Sequence, residues 1–469
     1  MIFINLRVYD YQMNKIVSLS IFTALILIGN ISGICQPVNG VKVLDSVKSY
    51  FERNYVGYAD KVTPATRPAY QAYTRQTYAL AKRARSHADC YFLIDHWLDY
   101  FKDHHVSIRI PPPDTVETIR SVDQSLLEGI YYTADSVYKI GVLKSKKGLR
   151  SYVGVILESR APTWKPGQVK FELFDAGVNQ LKGIWYLRNH SAYISTIQGD
   201  LEKGLASEGW FKNGVRAQQE PVKPLFEEEQ HLNTFFKKLN DSTGYMRIRT
   251  FDLFEAKRID SVVRANLASI QTMPTLIIDL RSNGGGGDRS MSFLQPIIYT
   301  NPVKNIGVDL LLTPDNITAW EKAIEKYRAE IPKKDLDRLM QLLNIGRGIS
   351  RTSVDFSPDN TDTLPEVWAM PAKVAIVINR GCASTTEEFL LVAKQSSKVV
   401  LAGEPSRGVL DYSNVVERDF YGPDFELYYS TTRSRRIDLG LGIDNVGIQP
   451  AIPLDLSTNT WLNELLTKL

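Results

Sequence analysis

The chain of 469 residues predicts two or three domains, since a single domain averages roughly 150 residues. Its 56 basic and 52 acidic residues give a net charge of +4 without a long run of either sign, which argues against nucleic acid or an anionic membrane surface as a partner. Hydrophobic residues make up 43% of the chain, which is ample for buried cores. Separately, we expect the protein to use no metal ion and no cofactor.

The N-terminus carries the pattern of a secretory signal peptide. An apolar run at residues 16–28 follows Lys15 and is too short to span a bilayer, so residues 1–35 are predicted to be a cleaved signal. A lipid anchor on Cys35 is the competing interpretation, but Ile34 is larger than the small residue that such sites require at that position. We therefore expect a secreted or periplasmic protein without an integral membrane segment after cleavage.

Two predicted regions follow the signal. Residues 36–112 are predicted to form an N-terminal helical domain, in which a Ser86-x-x-Asp89 capping box opens a helix with an apolar stripe. Between residues 113 and 215 the pattern changes to short strand-forming runs, which predicts a small β-rich domain. The strands are predicted at residues 137–144, 152–157, 168–174, 183–187 and 192–197.

The last predicted region, residues 216–469, contains two buried strands that each end in an unusual turn. The first, at residues 275–280, leads into the glycine run Gly284–Gly287, whose backbone amides can approach a ligand closely. The run is either a candidate oxyanion site or a flexible loop, and three polar residues at alternate positions before it favour the first interpretation. These residues are Asp279, Arg281 and Asn283.

The second strand, at residues 372–379, is followed by a turn and by a helix predicted over residues 385–394. Ser384 stands where the strand becomes the helix, so its hydroxyl lies beside unpaired backbone N–H groups, as an acyl-transfer nucleophile requires. A helix N-cap is the simpler interpretation and is favoured from this stretch alone. Cys382, two residues earlier, is a second candidate nucleophile.

Three runs in this region share a pattern with a known family. They are Asp279-Leu280-Arg281-x-Asn283-x-Gly285-Gly286, Ala383-Ser384-x-x-Glu387 after a strand, and Gly403-Glu404-Pro405-Ser406. The pattern resembles that of the tail-specific, or C-terminal processing, serine peptidases and of their relatives, the tricorn core and the interphotoreceptor retinoid-binding protein. The resemblance covers about residues 245–455 well and the N-terminal helices more loosely.

The resemblance implies a serine-type peptidase with an α/β catalytic domain, the crotonase-like ββα superhelix. Ser384 would be its nucleophile, and the backbone amides of Gly285 and Thr385 would be the oxyanion site. Val409 stands where the tail-specific enzymes carry a lysine base, which favours the Ser-His branch of the family. In that branch an Asp-x-His motif carries the base, and His105 matches it. A histidine favoured by the dipole of a helix C-terminus is the alternative.

The predicted orienting acid of the Ser-His-acid mechanism is Asp444. The branch closes its domain with a Glu-x-x-Gly-x-x-Pro run, and residues 444–450 fit that run with Asp in place of Glu. A role for Asp444 in organising the turn is the alternative, and Asp411 is the next candidate for the acid. The hydroxyl of Ser406 or Ser413 is a candidate relay between the acid and the base.

The sequence therefore predicts a secreted or periplasmic serine endopeptidase that hydrolyses polypeptide substrates. Two other functions stay open on the same fold: a non-catalytic binding protein for an apolar ligand, like the retinoid-binding relative, and an acyl-CoA hydratase or hydrolase. Tail-specific peptidases also carry a peptide-binding PDZ domain near this β-rich region. Residues 113–215 show no carboxylate-binding loop, which argues against a PDZ domain here.

Overall fold

The computed structural model describes residues 38–110, 127–145, 148–212, 224–328, 331, 333–420 and 425–469. The predicted signal peptide and Cys35 lie outside these ranges. The fold is a mixed α/β structure, as predicted. No helix within the described ranges is long and apolar enough to cross a membrane.

The N-terminal part consists of α1 (Gly40–Asn54), α2 (Tyr58–Lys61), α3 (Arg67–Ala81), α4 (His87–Leu98) and β1 (Ser107–Arg109). The predicted capping box is confirmed at the start of α4: the Asp89 amide donates to Ser86 Oγ, and the Ser86 amide donates to Asp89 Oδ2, each at 3.1 Å. The apolar faces of α1 and α4 pack together, with the rings of Phe51 and Trp97 5.7 Å apart. This packing fixes the end of α4, from which the chain leads to His105.

A seven-stranded antiparallel sheet forms the predicted β-rich region. Its elements are β2 (Gly129–Thr133), β3 (Tyr138–Lys144), β4 (Arg150–Ser159), β5 (Val169–Gly177), β6 (Gln180–Tyr186), β7 (Ala192–Gln198), α5 (Leu201–Ser207) and β8 (Trp210–Lys212). The strand order is β7-β6-β5-β4-β3-β2-β8, so the five predicted strands are neighbours and two further strands extend one edge. Phe174 of β5 stacks on Phe92 of α4 at 4.8 Å, which joins the sheet to the N-terminal helices.

The C-terminal part alternates strands and helices. Its strands are β9 (Thr234–Lys238), β10 (Thr243–Ile248), β11 (Thr275–Asp279), β12 (Val303–Asn305), β13 (Val308–Leu312), β14 (Thr352–Ser357), β15 (Asn360–Asp362), β16 (Lys373–Ile378), β17 (Val399–Gly403), β18 (Tyr412–Phe420), β19 (Phe425–Ser434) and β20 (Ile452–Pro453). Its helices are α6 (Ala256–Ala265), α7 (Leu267–Ile270), α8 (Asp288–Ser292), α9 (Gln295–Ile298), α10 (Pro314–Tyr327), α11 (Lys333–Gly346), α12 (Thr385–Ala393) and α13 (Trp461–Lys468).

A six-stranded sheet positions the candidate site. Its order is β20-β17-β16-β11-β10-β9, and every neighbouring pair is parallel except β10 with β9. The predicted strands at 275–280 and 372–379 are confirmed as β11 and β16, which lie side by side with Ile278 opposite Ile376. Because parallel strands end at the same edge of a sheet, the glycine run after β11 and Ser384 after β16 are brought together.

A second sheet joins the N-terminal part of the chain to the C-terminal part. Its order is β1-β19-β13-β14, with β18 paired to β19, and Ser107 of β1 lies opposite Tyr428 of β19. Trp320 of α10 is buried in the same core, and its Nε1 donates to Thr431 Oγ1 at 3.1 Å. This sheet therefore holds β1, and His105 just before it, against strands of the C-terminal part.

Candidate active site

Ser384 is the N-cap residue of α12, as the simpler interpretation predicts, but its backbone is not that of an ordinary cap. Its φ of 57° and ψ of −125° lie in a region that residues with side chains rarely adopt. Ser86, the cap of α4, has the usual extended values of −138° and 166°. Strain of this kind in a non-glycine residue concentrates at active sites. Ser384 thus stands on a sharp strand-to-helix turn of the type that presents a nucleophile.

The carboxylate of Glu387 holds this turn in place. It is fully buried and accepts hydrogen bonds from four donors. They are the amides of Ser384 (3.2 Å), Gly408 (2.6 Å) and Val409 (2.7 Å) and the hydroxyl of Ser406 (2.5 Å). Burial raises the pKa of Glu387, while the four donors favour its charged form. Sequence reasoning assigned no role to Glu387, although its spacing of three residues from Ser384 is that of a capping box.

The glycine run after β11 packs directly against Ser384. A Cβ atom at Gly285 would lie 2.7 Å from the carbonyl oxygen of Ala383 and 2.9 Å from Ser384 Cβ. Since the φ of Gly285 is also +98°, this position requires glycine. The same Cβ would lie 3.0 Å from the amide nitrogen of Thr385, whose N–H has no partner within α12 because it is the first residue of the helix.

Asn283 shows that the glycine run is a structured loop rather than a merely flexible one. Its buried side chain accepts hydrogen bonds on Oδ1 from the Gly285 amide (3.1 Å) and the Thr386 hydroxyl (2.9 Å). Its Nδ2 donates to the Ile248 carbonyl at 3.2 Å. The N–H of Gly285, one of the two predicted oxyanion donors, is therefore bonded to Asn283 in this structure.

Asp279 and Arg281 support the end of β11. Asp279 is fully buried and accepts hydrogen bonds from the Tyr245 hydroxyl at 2.6 Å and from Arg281 Nη2 at 2.7 Å. Burial alone would raise the pKa of Asp279, but Arg247 and Arg281 hold it below its ordinary value. A carboxylate paired in this way stays ionised, so it does not exchange protons near neutral pH.

Cys382 does not compete with Ser384 as a nucleophile. Its thiol is fully buried and donates to the carbonyl oxygen of Leu280 at 3.0 Å. Burial raises the pKa of Cys382 to about 12, so almost no thiolate exists at neutral pH. Cys90 is also buried, and burial raises its pKa to about 12. Neither cysteine forms a disulfide within the described ranges.

His105 lies half-buried in the turn between α4 and β1, and its Nδ1 is 2.6 Å from the carbonyl oxygen of Tyr412. Because a carbonyl can only accept, Nδ1 carries the proton and Nε2 of the neutral ring has the free lone pair. This is the tautomer that a general base needs. The His105 amide donates to Asp103 at 2.8 Å, and Asp103 accepts from the Tyr55 hydroxyl at 2.9 Å, so the turn is anchored to the end of α1.

One segment, residues 409–412, contacts both Ser384 and His105. The Val409 carbonyl accepts a hydrogen bond from the Ser384 amide at 3.2 Å, and the Tyr412 carbonyl bonds the His105 ring. An extended chain covers at most about 3.5 Å per residue, so these two carbonyl groups lie within roughly 11 Å of each other. The structure therefore brings the predicted nucleophile and the predicted base to the same short segment.

The Asp444 side chain binds the backbone of residues 409–412. Its Oδ1 accepts hydrogen bonds from the amides of Leu410 (3.1 Å) and Asp411 (2.9 Å). In return, Asp411 Oδ2 accepts from the amides of Ile443 (2.7 Å) and Asp444 (2.8 Å). This reciprocal arrangement is the turn-organising role that the sequence leaves as the alternative for Asp444. Among the described residues, the side chain of Asp444 accepts from these amides and not from the ring of the candidate base, whose Nδ1 bonds the Tyr412 carbonyl.

The two predicted relay hydroxyls are used elsewhere. Ser406 donates to Glu387, and the hydroxyl of Ser413 bonds that of Thr432 at 3.2 Å.

Burial, and then the charges of Asp103 and Asp411, raise the pKa of Asp444 to about 7. These three carboxyl groups therefore lie close enough for their charges to interact. The described part of the chain nevertheless contains no group of three or more His, Cys, Asp or Glu side chains that could hold a metal ion.

Two lysines that follow Ser384 in the sequence, Lys394 and Lys398, lie far from it in the structure. Lys394 follows the last residue of α12, and nine residues of helix separate it from Ser384 by roughly 14 Å. Lys398 precedes β17, at the opposite edge of the sheet, and its Nζ donates to the carbonyl of Trp368 at 3.2 Å. The position of Val409 carries no base either, since that side chain is apolar and buried.

Comparison with known proteins gives one family match. The model of peptidase family S41 matches residues 242–306, which run from β10 through the glycine run to β12. No curated protein matches the chain. Mature CPAF is similar over 92% of this chain and 96% of its own, with 13% identity and a TM-score of 0.47. The photosystem II D1 C-terminal processing protease is similar over 89% of this chain and 94% of its own, with 13% identity and a TM-score of 0.38. The tricorn protease is similar over 91% of this chain and 35% of its own, with 13% identity and a TM-score of 0.39.

Proposed function

We propose that this chain, which belongs to peptidase family S41, a family of serine-type peptidases, is a secreted or periplasmic endopeptidase that acts on polypeptide substrates. The observation that carries the proposal is the strained backbone of Ser384 at the start of α12. An ordinary cap needs no such strain, whereas a nucleophile held out for attack does. The signal pattern in residues 1–35 supports the location.

In the proposed mechanism, Ser384 Oγ attacks the scissile carbonyl carbon while Nε2 of His105 takes the hydroxyl proton. The N–H of Thr385 stabilises the oxyanion that develops. His105 then gives its proton to the leaving amine, the peptide C–N bond breaks, and the acyl group stays on Ser384. A water molecule that His105 deprotonates releases the acyl group in the second half of the reaction.

The second proposed oxyanion donor is the N–H of Gly285. Because this N–H bonds Asn283 Oδ1, the substrate oxygen must replace that acceptor. The exchange leaves Asn283 Oδ1 with a partner, since the Thr386 hydroxyl also donates to it. The loop can therefore serve the oxyanion without leaving a buried acceptor unsatisfied.

Asp444 is the proposed acid, and its action on His105 is electrostatic rather than a direct hydrogen bond. The Tyr412 carbonyl already accepts from Nδ1. As the imidazole gains a proton during catalysis, a nearby carboxylate stabilises the cation. Only ionised Asp444 supplies this charge, so its contribution grows as the pH rises through its pKa of about 7.

We further propose the crotonase-like ββα superhelix for residues 216–469, after a helical domain at 36–112 and a β-rich domain at 113–215. The parallel arrangement of β10, β11, β16 and β17 supports this fold. Helices α6 and α12 connect these strands in the manner of successive parallel crossovers.

Labelling with a fluorophosphonate, which reacts with activated serines, tests the proposed function. We expect covalent labelling at Ser384 in the wild type and none in Ser384→Ala. Ser86→Ala is the matched control, because it removes a cap serine from α4 and should leave labelling unchanged. A folded wild type that does not label would overturn the proposal in favour of a non-catalytic protein that binds an apolar ligand.

A further inference from the structure

Lys170 of β5 is buried in the small antiparallel sheet, with 5% of its surface exposed. Its Nζ lies 4.3 Å from the ring centre of Tyr138 and 4.0 Å from that of Trp164. Among the described residues no acceptor bonds this ammonium group. Glu172, two residues along the strand, is already bonded to Arg150. Lys170 is thus a buried cation with aromatic neighbours and no anionic partner.

The hydroxyl of Tyr138 is a second unpartnered group at the same place. It is buried, and no hydrogen-bond partner for it occurs in the part of the chain that the structure describes. A fully buried hydroxyl in a native protein is nearly always hydrogen-bonded, and this unpartnered hydroxyl belongs to a ring that the Lys170 ammonium group faces. Both are donors, and together they indicate an acceptor that the chain itself does not provide.

Trp164 forms a fixed wall beside these donors. Its Nε1 donates to the carbonyl oxygens of Leu187 (3.2 Å) and Arg188 (3.1 Å), and the ring of His190 stacks on it at 4.1 Å. The indole cannot turn away without losing these contacts. The site is therefore organised before any ligand binds, which lowers the entropic cost of binding.

The local charge favours an anion. Burial, and then the positive charge of Arg188, lower the pKa of Lys170 to about 7. An ammonium group in this setting is destabilised, and a bound anion would relieve both the desolvation and the repulsion. A carboxylate fits best among common anions, because its two oxygens can accept from an ammonium group and a phenol hydroxyl at once.

We propose that Lys170, Tyr138 and Trp164 form a binding site for a carboxylate group on the small β-sheet. The carboxylate belongs either to a free organic acid or to the acidic side chain of a polypeptide. The site is separate from Ser384, and its existence does not depend on the proposed peptidase activity.

Titration of tryptophan fluorescence with sodium acetate tests this site, because the Trp164 ring lies 4.0 Å from the ammonium group that would hold the anion. The protein is the full chain carrying Ser384→Ala, and sodium chloride keeps the ionic strength constant. At pH 6 we expect a saturable change that disappears in Trp164→Phe. Its midpoint should rise at least about tenfold in Lys170→Met and about fivefold in Tyr138→Phe, the effects of losing a charged and a neutral hydrogen bond. Lys165→Met, which removes an exposed lysine next to Trp164, is the matched control and should bind like the parent.

The pH dependence adds a second criterion. Only the ammonium form of Lys170 binds an anion, so the midpoint should rise by roughly tenfold per pH unit above pH 7. Capped peptides that carry one Glu, or Gln in its place, identify the source: saturation by the Glu peptide indicates a polypeptide side chain, and saturation by acetate alone indicates a free acid. The proposal is overturned if acetate gives no saturable signal, or if Lys170→Met binds it as tightly as the parent.

Discussion

His105 Nδ1 and the carbonyl oxygen of Tyr412 are 2.6 Å apart, which makes a main-chain group the partner that orients the candidate base. The Tyr412 side chain extends the other way, toward the N-terminal helices, where its hydroxyl donates to Asp60 at 3.1 Å. A carbonyl cannot be removed by substitution, and it carries no charge. The orientation of the base is therefore independent of pH, whereas the charge of the Asp444 carboxyl group changes with pH.

Replacement of His105 tests the base. Without an acceptor for the Ser384 proton, His105→Ala should lower kcat by at least about 10⁴-fold, as for other serine peptidases that lose their base. The adjacent His104→Ala removes a histidine that the structure does not place on Tyr412, and it should change kcat by only a few-fold. Comparable activity in the two variants would remove His105 from the mechanism.

Ser384→Ala should abolish peptide hydrolysis while changing stability little. Loss of a cap costs only about 1 kcal/mol in free energy of unfolding, and alanine still carries the strained φ. Thiol-blocking reagents should leave the wild-type activity intact, since the Cys382 thiol is buried. Peptide hydrolysis within a few-fold of wild type in Ser384→Ala, measured after purification, would contradict the assignment.

Glu387→Gln should damage both stability and activity. Each carboxylate oxygen of Glu387 serves two donors, and among the four only the Ser406 hydroxyl can turn and accept instead. An amide in either orientation therefore leaves at least one buried backbone N–H facing its NH₂ group, which costs roughly 1–3 kcal/mol in free energy of unfolding. Urea unfolding measures this, and Glu366→Gln, which neutralises an exposed glutamate, is the control and should cost little. Equal losses in the two variants would argue against a special role for Glu387.

Asp444→Asn should separate the two roles of this carboxyl group. The folded pKa of about 7 exceeds the ordinary value near 3.9, so the group's contribution to stability is full below about pH 4 and is lost as the pH rises through 7. Asparagine keeps an oxygen for the Leu410 and Asp411 amides, so the variant should gain in melting temperature relative to wild type from pH 5 to pH 8. Its kcat should fall by about tenfold at pH 8, because the acid acts without touching the base. An unchanged kcat would indicate that Asp444 only organises the turn.

Lys170→Met should change how stability depends on pH. The folded pKa of about 7 lies below the ordinary value near 10.4, so the unfolded chain binds the extra proton between these values and wild-type stability rises with pH across that window. Methionine removes this dependence and should stabilise the protein most at and below pH 7. Unfolding in urea at pH 7 and pH 9.5 compares the two proteins, with Lys165→Met as the exposed control. A wild type whose stability does not rise relative to Lys170→Met would contradict the buried cation.

The strands beside the site could be predicted because their patterns are simple. Residues 275–280 and 372–379 are short continuous apolar runs, as expected for parallel strands that are buried on both faces. By contrast, the hydropathy pattern does not predict β19, whose buried residues include Ser430, Thr431 and Thr432. Their hydroxyls are satisfied by partners distant in sequence, such as the Asn414 carbonyl for Thr431, so hydropathy does not reveal their burial.

The partners of the site residues were harder to predict than the residues themselves. Ser384 and His105 stand in recognisable motifs, but the Tyr412 carbonyl exists in every peptide unit and leaves no trace in the residue type. The four donors to Glu387 include two backbone amides from residues 408 and 409. Only the folded path of the chain brings such groups together, and it also gives Asp444 the backbone amides of Leu410 and Asp411 as hydrogen-bond donors.

The pairing of β1 with β19 sets the moment at which the candidate site becomes complete. His105 lies just before β1, while its partner Tyr412 begins β18, the strand that pairs with β19. A chain still emerging from the ribosome has not yet supplied β18 and β19, so His105 lacks the Tyr412 carbonyl that orients its ring. Pairings this distant in sequence form late because closing the intervening loop is entropically costly. On the proposed mechanism, a newly made copy therefore gains peptidase activity only after these last strands have docked.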